Sequence, residues 1–237
     1  MAQVQDRVQE KDKEPLGSKK KDGTSSAQAG QADDNADEVT PPINHPFFQL
    51  RPGYEFYYTR EWNTDVPDQT LIRRHNKNGS VDDIFKREEG GKSVFLFVDR
   101  HYYRVKDRNL EVALGIKKEG GTFKQGDWDC VVPANIGAGD SWETKPHKGI
   151  LTVCSLETTG KYQEPSPTLA SYRGRKLITI REERSASGAA TNDQPVVWER
   201  VVNGYVEGLG LVEHRSYRAY DNHLAYTERL IEVKKSQ

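Results

Sequence analysis

The sequence predicts an all-β protein: a strongly curved antiparallel sheet, an open or half β-barrel, preceded by a disordered N-terminal arm. Short apolar runs with period-two alternation recur along the chain, with turn signals every 8–15 residues or so, which indicates about eleven strands. No long stretch shows the 3.6-residue apolar period of an amphipathic helix. A sheet of so many strands is expected to curl on itself.

The aromatic residues divide the chain into two parts. All 4 Trp, 11 Tyr and 7 Phe lie at or after Phe47, and the residues before it are rich in charged, Gly, Ser, Gln and Ala side chains. Such a segment has little apolar surface to bury against the entropy of ordering. We therefore predict a disordered polar tether over residues 1–44 and a β half-barrel domain over residues 45–237.

The first predicted strand begins after the turn at Pro52-Gly53, where Tyr54, Phe56 and Tyr58 alternate onto one face. Asn78-Gly79 is a strong hairpin signal. The continuous run VFLFV within Lys92–Val105 indicates a strand buried on both faces, and SASGAATNDQP is predicted to be an exposed loop. The remaining predicted strands are Asp68–His75, Ser80–Glu88, Asn109–Lys117, Trp128–Val132, Asp140–Thr144, Gly149–Tyr162, Arg175–Arg184, Val196–Val206, Leu209–Tyr220 and Leu224–Val233.

Two glycine pairs predict tight corners between strands. Gly208 and Gly210 flank Leu209, and they allow a positive φ or a close approach of two strands. Gly137 and Gly139 allow a turn that the side chain of Asp140 or Ser141 is expected to hydrogen-bond. Trp142 then enters the core.

The chain resembles a broad group of bacterial envelope proteins and lipoproteins in five segments: FFQLRPGYEFYY, VVPANIGAGDSWE, GKYQ, KLITIREER and GYVEGLGLVEHRSY. The resemblance covers about residues 45–235. It implies a curved antiparallel sheet similar to the half-barrels of lipoprotein carriers of the LolA–LolB type, and an association with the envelope or a membrane. The chain as it stands shows no leader and no lipid-accepting Cys near its start, which by itself predicts either a cytoplasmic protein or one whose leader was removed before this numbering begins.

No residue is predicted to be catalytic or a metal ligand, no cofactor is predicted, and we expect the protein not to be an enzyme. The six histidines have no HExxH-like spacing, and no Ser lies in a GxSxG motif. A net charge of −1 does not favour nucleic acid, and no apolar run is long enough for a transmembrane helix. Cys130 and Cys154 are interpreted as buried free thiols, with a disulfide as the alternative.

Two hypotheses for function follow. The first is a non-enzymatic structural or interaction domain, an accessory subunit of a membrane-associated or larger assembly, that binds a protein partner through the N-terminal arm or a sheet edge. Its charged strand residues are expected to face outward: Arg73, Arg74, Arg181, Glu182 and Glu183.

The alternative hypothesis is a carrier of a hydrophobic small molecule or lipid on the concave face of the sheet. Aromatic side chains on such a face would provide an apolar concavity. The predicted ligand-binding residues are Tyr54, Phe56, Tyr58, Trp128, Trp142, Trp198 and Tyr205.

Overall fold

The computed structural model of the protein describes residues 43–118, 120–144, 150–163, 166–191 and 194–236. Almost all of the predicted tether, residues 1–44, lies outside these ranges. The described chain forms a two-stranded ladder and one twelve-stranded antiparallel sheet, which confirms the predicted fold class. The first strand starts at Asn44, close to the predicted start of the domain.

The short ladder consists of β1 (Asn44–His45) and β2 (Phe48–Gln49). A 3-10 helix, Pro167–Tyr172, lies between the tenth and eleventh strands. The strands of the large sheet are β3 (Tyr54–Trp62), β4 (Gln69–His75), β5 (Ser80–Glu89), β6 (Lys92–Lys106), β7 (Asn109–Lys117), β8 (Phe123–Val132), β9 (Ser141–Thr144), β10 (Ile150–Lys161), β11 (Lys176–Thr191), β12 (Gln194–Val206), β13 (Gly210–Arg218) and β14 (His223–Lys235).

The sheet consists of two six-stranded meanders that are joined by one ladder. Strands β3 to β8 pair in sequence order, and so do β9 to β14. The meanders meet where β14 pairs with β3, from Tyr226↔Trp62 to Lys235↔Tyr54. Strands β8 and β9 are the two edges of the sheet. The sheet curls until it is nearly closed into a barrel.

The Trp142 side chain bridges these two edges. The Trp142 indole Nε1 on β9 donates a hydrogen bond to the Cys130 carbonyl oxygen on β8, at 3.2 Å. The indole also packs, half-buried, against the apolar core, as expected for Trp142. We call the gap between β8 and β9 the seam.

Inward-facing residues form two apolar clusters. One includes Phe47, Phe48, Leu110, Ile178 and Ile180, and the other gathers side chains around Phe56, Leu209 and Leu230. These residues are inside because period-two alternation along each strand places one face toward the barrel interior.

The predicted glycine corners are confirmed. Gly208 and Gly210 have φ of 73° and 108°, and Leu209 between them is buried. The Gly208 N–H donates to the Pro46 carbonyl at 2.7 Å, so this corner holds the turn between β1 and β2 against the barrel. At the other corner, the Gly137 N–H donates to Asp140 Oδ2 at 2.7 Å.

Two sequence-based expectations are wrong. The segment SASGAATNDQP, predicted as a loop, belongs largely to β11 and β12, which extend as a long hairpin. The run VFLFV, predicted to be buried on both faces, is mostly exposed: Phe95 is 57%, Leu96 42%, Phe97 44% and Val98 42% accessible. The reason is that this part of the β5–β6 hairpin extends beyond the ladder that β6 forms with β7.

We predict that the turn at Gly53 depends on its backbone conformation. Gly53 has φ of 79° and no atom within 4 Å of the position of a Cβ, so Gly53→Ala adds strain without a steric clash. We expect Gly53→Ala to lower the free energy of unfolding by about 1–2 kcal/mol. Gly160→Ala, with equal space but an ordinary φ, is the control and should be neutral or stabilising by up to about 1 kcal/mol. Urea denaturation measures both, and equal effects would contradict the backbone explanation.

Candidate functional site

The barrel interior contains a cavity of about 260 Å3. Its wall is mixed in character, because aromatic and aliphatic side chains cover most of it while charged and polar groups occupy one part. The apolar wall includes Phe48, Phe56, Tyr58, Tyr103, Leu110, Val112, Leu114, Tyr205 and Leu211, and the polar wall includes Arg73, His75, His101, Asp129, Thr144, Thr152, Glu182, Arg184, Asn203 and His214.

A chain of ion pairs crosses the interior from one meander to the other. Arg73 on β4 lies 3.2 Å from Asp83 on β5 and 3.9 Å from Glu228 on β14. Arg60 Nε donates to the same Glu228 carboxylate at 2.7 Å. Glu228 is only 2% exposed, and two guanidinium groups compensate its buried charge.

Asp83 remains ionised despite its burial. Burial alone would raise the pKa of its carboxyl, but the Arg73 charge and the hydrogen bond and charge of His101 outweigh burial, so the pKa is lowered. His101 Nε2 lies 3.5 Å from Asp83. In contrast, burial raises the pKa of the Tyr103 hydroxyl to about 12.

A second polar network lies on β11, β12 and β13. Arg184 donates to Glu182 at 2.9 Å and to Glu199 at 3.0 Å. Asn203 Nδ2 donates to Glu182 at 2.6 Å, so its Oδ1 faces His214 Nδ1 at 2.9 Å. Because Asn203 Oδ1 can only accept, the His214 proton lies on Nδ1. The other ring nitrogen, Nε2, then accepts from the Tyr226 hydroxyl, which lies 3.2 Å away.

Two polar atoms at the cavity wall have no hydrogen-bond partner among the described residues: Thr152 Oγ1 and Arg184 Nε. Thr152 and Arg184 are directly opposite each other in the β10–β11 ladder. Thr152 is only 1% exposed, so water outside the barrel does not reach its hydroxyl. Buried polar groups are normally paired, and these two atoms mark a place where the wall offers hydrogen bonds to something inside the cavity.

The two cysteines line the cavity as free thiols, as expected from their alternation with apolar residues. Burial, followed by the nearby Glu111 and Asp129 carboxylates, raises the pKa of Cys130 to about 11. Burial also raises the pKa of Cys154. Both are therefore protonated and weakly nucleophilic at neutral pH.

The structure brings three of the predicted ligand-binding residues together at the cavity: Phe56, Tyr58 and Tyr205. Trp142 lies at the seam, and Tyr54 packs against the second apolar cluster. The two remaining predicted residues, Trp128 and Trp198, do not line the cavity. The Arg104 guanidinium stacks over the Trp128 ring at 4.2 Å, and the Trp198 side chain is 46% exposed.

The expectation that the strand charges all face outward is wrong for Arg73 and Glu182, which line the cavity. A sequence signal for this existed, because Glu182 follows the buried Ile178 and Ile180 at spacings of two. Arg73 likewise lies between the buried Leu71 and His75.

Within the described residues, no group of three or more His, Cys, Asp and Glu side chains is arranged to hold a metal ion. No helix in this part of the chain is long and apolar enough to cross a membrane.

No protein-family model matches the chain, and no curated protein matches it. Among solved structures, the chain is similar to a protein from Bacteroides fragilis with a YmcC-like fold, described as a candidate exported protein. The sequence identity is 14%, the match covers 81% of this chain and 100% of that chain, and the TM-score is 0.47. A likeness of this degree carries no argument about function.

We predict that acid destabilises the protein through its buried histidines. Burial lowers the pKa of His45 and His214, and burial followed by the Arg73 and Arg51 charges lowers the pKa of His75 to about 3. The unfolded chain takes up these protons near pH 6.5, whereas the folded protein excludes them. The contribution of His75 to stability is therefore complete above pH 6.5 and is lost as the pH drops from there toward 3, by up to about 1.4 kcal/mol per pH unit, and His45 and His214 act in the same direction.

The variant His75→Asn tests this prediction. Its side-chain oxygen can replace Nδ1, which accepts the Arg51 backbone N–H at 3.0 Å, and it does not titrate. Urea denaturation between pH 7.5 and 5 should show a shallower loss of stability for this variant than for the wild type. His223→Asn, at an exposed position, should keep the wild-type slope. An unchanged slope in His75→Asn would contradict the assignment.

Proposed function

We propose that the protein is a binding protein that holds a small molecule with an apolar body and a neutral hydrogen-bond acceptor inside its barrel. The observation that carries this proposal is the pair of unpartnered polar atoms, Thr152 Oγ1 and Arg184 Nε, at the wall of an otherwise largely apolar cavity. An uncompensated buried polar group costs about 1–3 kcal/mol. A ligand oxygen between the two atoms would remove this cost.

Charge around Arg184 favours a neutral acceptor such as a carbonyl or hydroxyl oxygen. The guanidinium already pairs with Glu182 and Glu199, so an anionic ligand group would meet two carboxylates. A cationic ligand group would meet the guanidinium itself. A neutral oxygen accepts from Nε and exchanges a hydrogen bond with the Thr152 hydroxyl without either repulsion.

The cavity limits the size of the ligand. A volume of about 260 Å3 is just below the range of about 300–1,000 Å3 that is usual for ligand pockets. The Phe56, Tyr58 and Tyr205 rings would contact the apolar body of the ligand. The ligand is therefore a small aromatic or aliphatic compound, or the end of a longer chain, rather than a whole lipid.

The seam is the entry route in this proposal. Cys130 and Val131 of β8 and Thr144 of β9 all line the cavity, so the cavity reaches the gap between the two edge strands. The Trp142 indole spans this gap through its hydrogen bond to the Cys130 carbonyl.

A structural or interaction domain is the second candidate function, and the exposed VFLFV run favours it. An accessory role in a membrane-associated assembly and a non-enzymatic role are further parts of this proposal, and they rest on the polar composition of residues 1–44 and on the lack of a catalytic motif in the sequence. A relation to envelope lipoproteins and to carriers of the LolA–LolB type is also part of it and rests on the segments quoted from the sequence.

Thr152→Val tests the cavity proposal. The substitution keeps the shape of the side chain and removes the unpartnered hydroxyl. Without ligand, the variant should be more stable than the wild type by about 1–3 kcal/mol in urea denaturation. It should also bind the neutral fluorescent ketone prodan three- to tenfold more weakly, because one hydrogen bond is lost.

Thr159→Val, at an exposed position of the same strand, is the matched control and should change neither quantity. The proposal fails if the wild type does not bind prodan or if Thr152→Val binds it as well as the wild type does.

The seam is tested by Trp142→Phe, which removes the indole donor but keeps an aromatic ring. We expect prodan to associate and dissociate at least threefold faster in stopped-flow fluorescence, because the bridge between β8 and β9 is lost. Trp198→Phe, which changes an exposed indole, is the control. Unchanged rates in Trp142→Phe would place the entry elsewhere.

A further inference from the structure

The part of the β5–β6 hairpin that extends beyond the barrel exposes apolar side chains on both faces. We call Val94–Val98 the apolar arm. Phe95 and Phe97 alternate with Leu96 along the strand, and all three are more than two-fifths exposed. Phe97 also contacts Phe123 at the start of β8, with 5.3 Å between ring centroids. Large exposed apolar patches usually mark interaction sites.

The apolar arm has one paired edge and one open edge. On one side, the arm pairs with β5 through Phe97↔Ile84, Leu96↔Phe85 and Phe95↔Lys86. On the other side, the ladder with β7 begins only at His101↔Leu114. In the described part of the chain, this second edge of the arm has no ladder partner. An open, apolar edge is a template for another strand.

A register shift marks the base of the arm. The ladder with β5 passes from Asp83↔Asp99 to Ile84↔Phe97, which leaves Val98 without a partner in β5. Such a bulge bends a strand and increases its twist. The same shift separates the arm from the cavity-lining part of β6, which includes His101 and Tyr103.

The sequence of the arm is a palindrome. Val94-Phe95-Leu96-Phe97-Val98 reads the same in both directions, with Leu96 at its centre. In an antiparallel pair of identical strands, each residue faces the one at the mirror position. The arm is therefore complementary to a second copy of itself, as a two-fold interface requires.

We propose that the protein forms a two-fold symmetric dimer in which the apolar arms of two copies pair edge to edge, antiparallel, with Leu96 on the two-fold axis. Leu96 then faces Leu96 of the second copy, Phe95 faces Phe97, and Val94 faces Val98. One face of the new ladder collects four phenylalanines, and the other collects the leucines and valines. Cross-strand aromatic and β-branched pairs of this kind stabilise antiparallel sheets.

A second copy fits the arm better than a lipid surface does. A bilayer would cover the apolar side chains but would leave the N–H and C=O groups of the open edge without partners, which is costly in hydrocarbon. An added strand covers the side chains and pairs the backbone groups together. The dimer does not depend on ligand binding in the cavity, because the arm lies outside the cavity wall.

Sedimentation velocity on the full chain from 1 to 100 µM tests the dimer. The wild type should form dimers and no larger assembly. Leu96→Lys places two charges against each other on the two-fold axis, so we expect the dimer dissociation constant to rise at least tenfold. Ile231→Lys, at an exposed apolar position of β14, should leave it unchanged, and circular dichroism checks that both variants are folded.

A charge pair tests the register. In the proposed ladder, F95K/F97E places opposite charges across the interface twice, whereas F95K/F97K places like charges there. The first variant should therefore dimerise at least tenfold more tightly than the second. Equal affinities would overturn the register, and a wild type that is monomeric at 100 µM would overturn the dimer. If the wild type is monomeric and floats with phosphatidylcholine–phosphatidylglycerol vesicles, and Leu96→Lys does not, the apolar arm binds lipid and not a second copy.

Discussion

The ladder between β14 and β3 is the interaction on which the rest of the structure depends. Without it the sheet would be two separate six-stranded meanders, each with one apolar face uncovered. Its backbone hydrogen bonds are reinforced by ion pairs that cross the junction, Arg60 with Glu228 inside and Arg229 with Glu61 outside. Because these contacts join residues far apart in sequence, the barrel interior forms only when the two meanders meet.

The cavity follows from this junction and from the residues that the meanders contribute to it. Arg73 comes from the first meander and Glu228 from the second. Each charge would be costly to bury without the other, because an unpaired charge loses its hydration without compensation. Most polar groups of the interior find partners in this way. Thr152 Oγ1 and Arg184 Nε do not find partners among the described residues, and for this reason we place the ligand oxygen beside them.

The apolar arm shows the opposite situation, in which pairing within the chain ends before the apolar sequence does. The run VFLFV has the composition of a strand that is covered on both faces, but only its edge toward β5 is paired in the described chain and its side chains are mostly exposed. Its apolar side chains and its unpaired backbone groups need partners, as they do in the core. In the proposed dimer, a second copy provides them.

The sequence by itself determined the fold class, nearly all strand positions, the Gly208–Gly210 corner and the inward face of Phe56 and Tyr58, because alternation and glycine conformation act over a few neighbouring residues. Tertiary structure decided which strands are edges, how far the sheet closes, and which charged residues are inside. Arg73 and Glu182 illustrate the limit: strand alternation places them on the inward face although their charge favours the outward one, and their burial is stable only because partners from distant strands compensate the charges. The VFLFV run is exposed because the ladder between β6 and β7 ends before it, and the local sequence does not predict where that ladder ends.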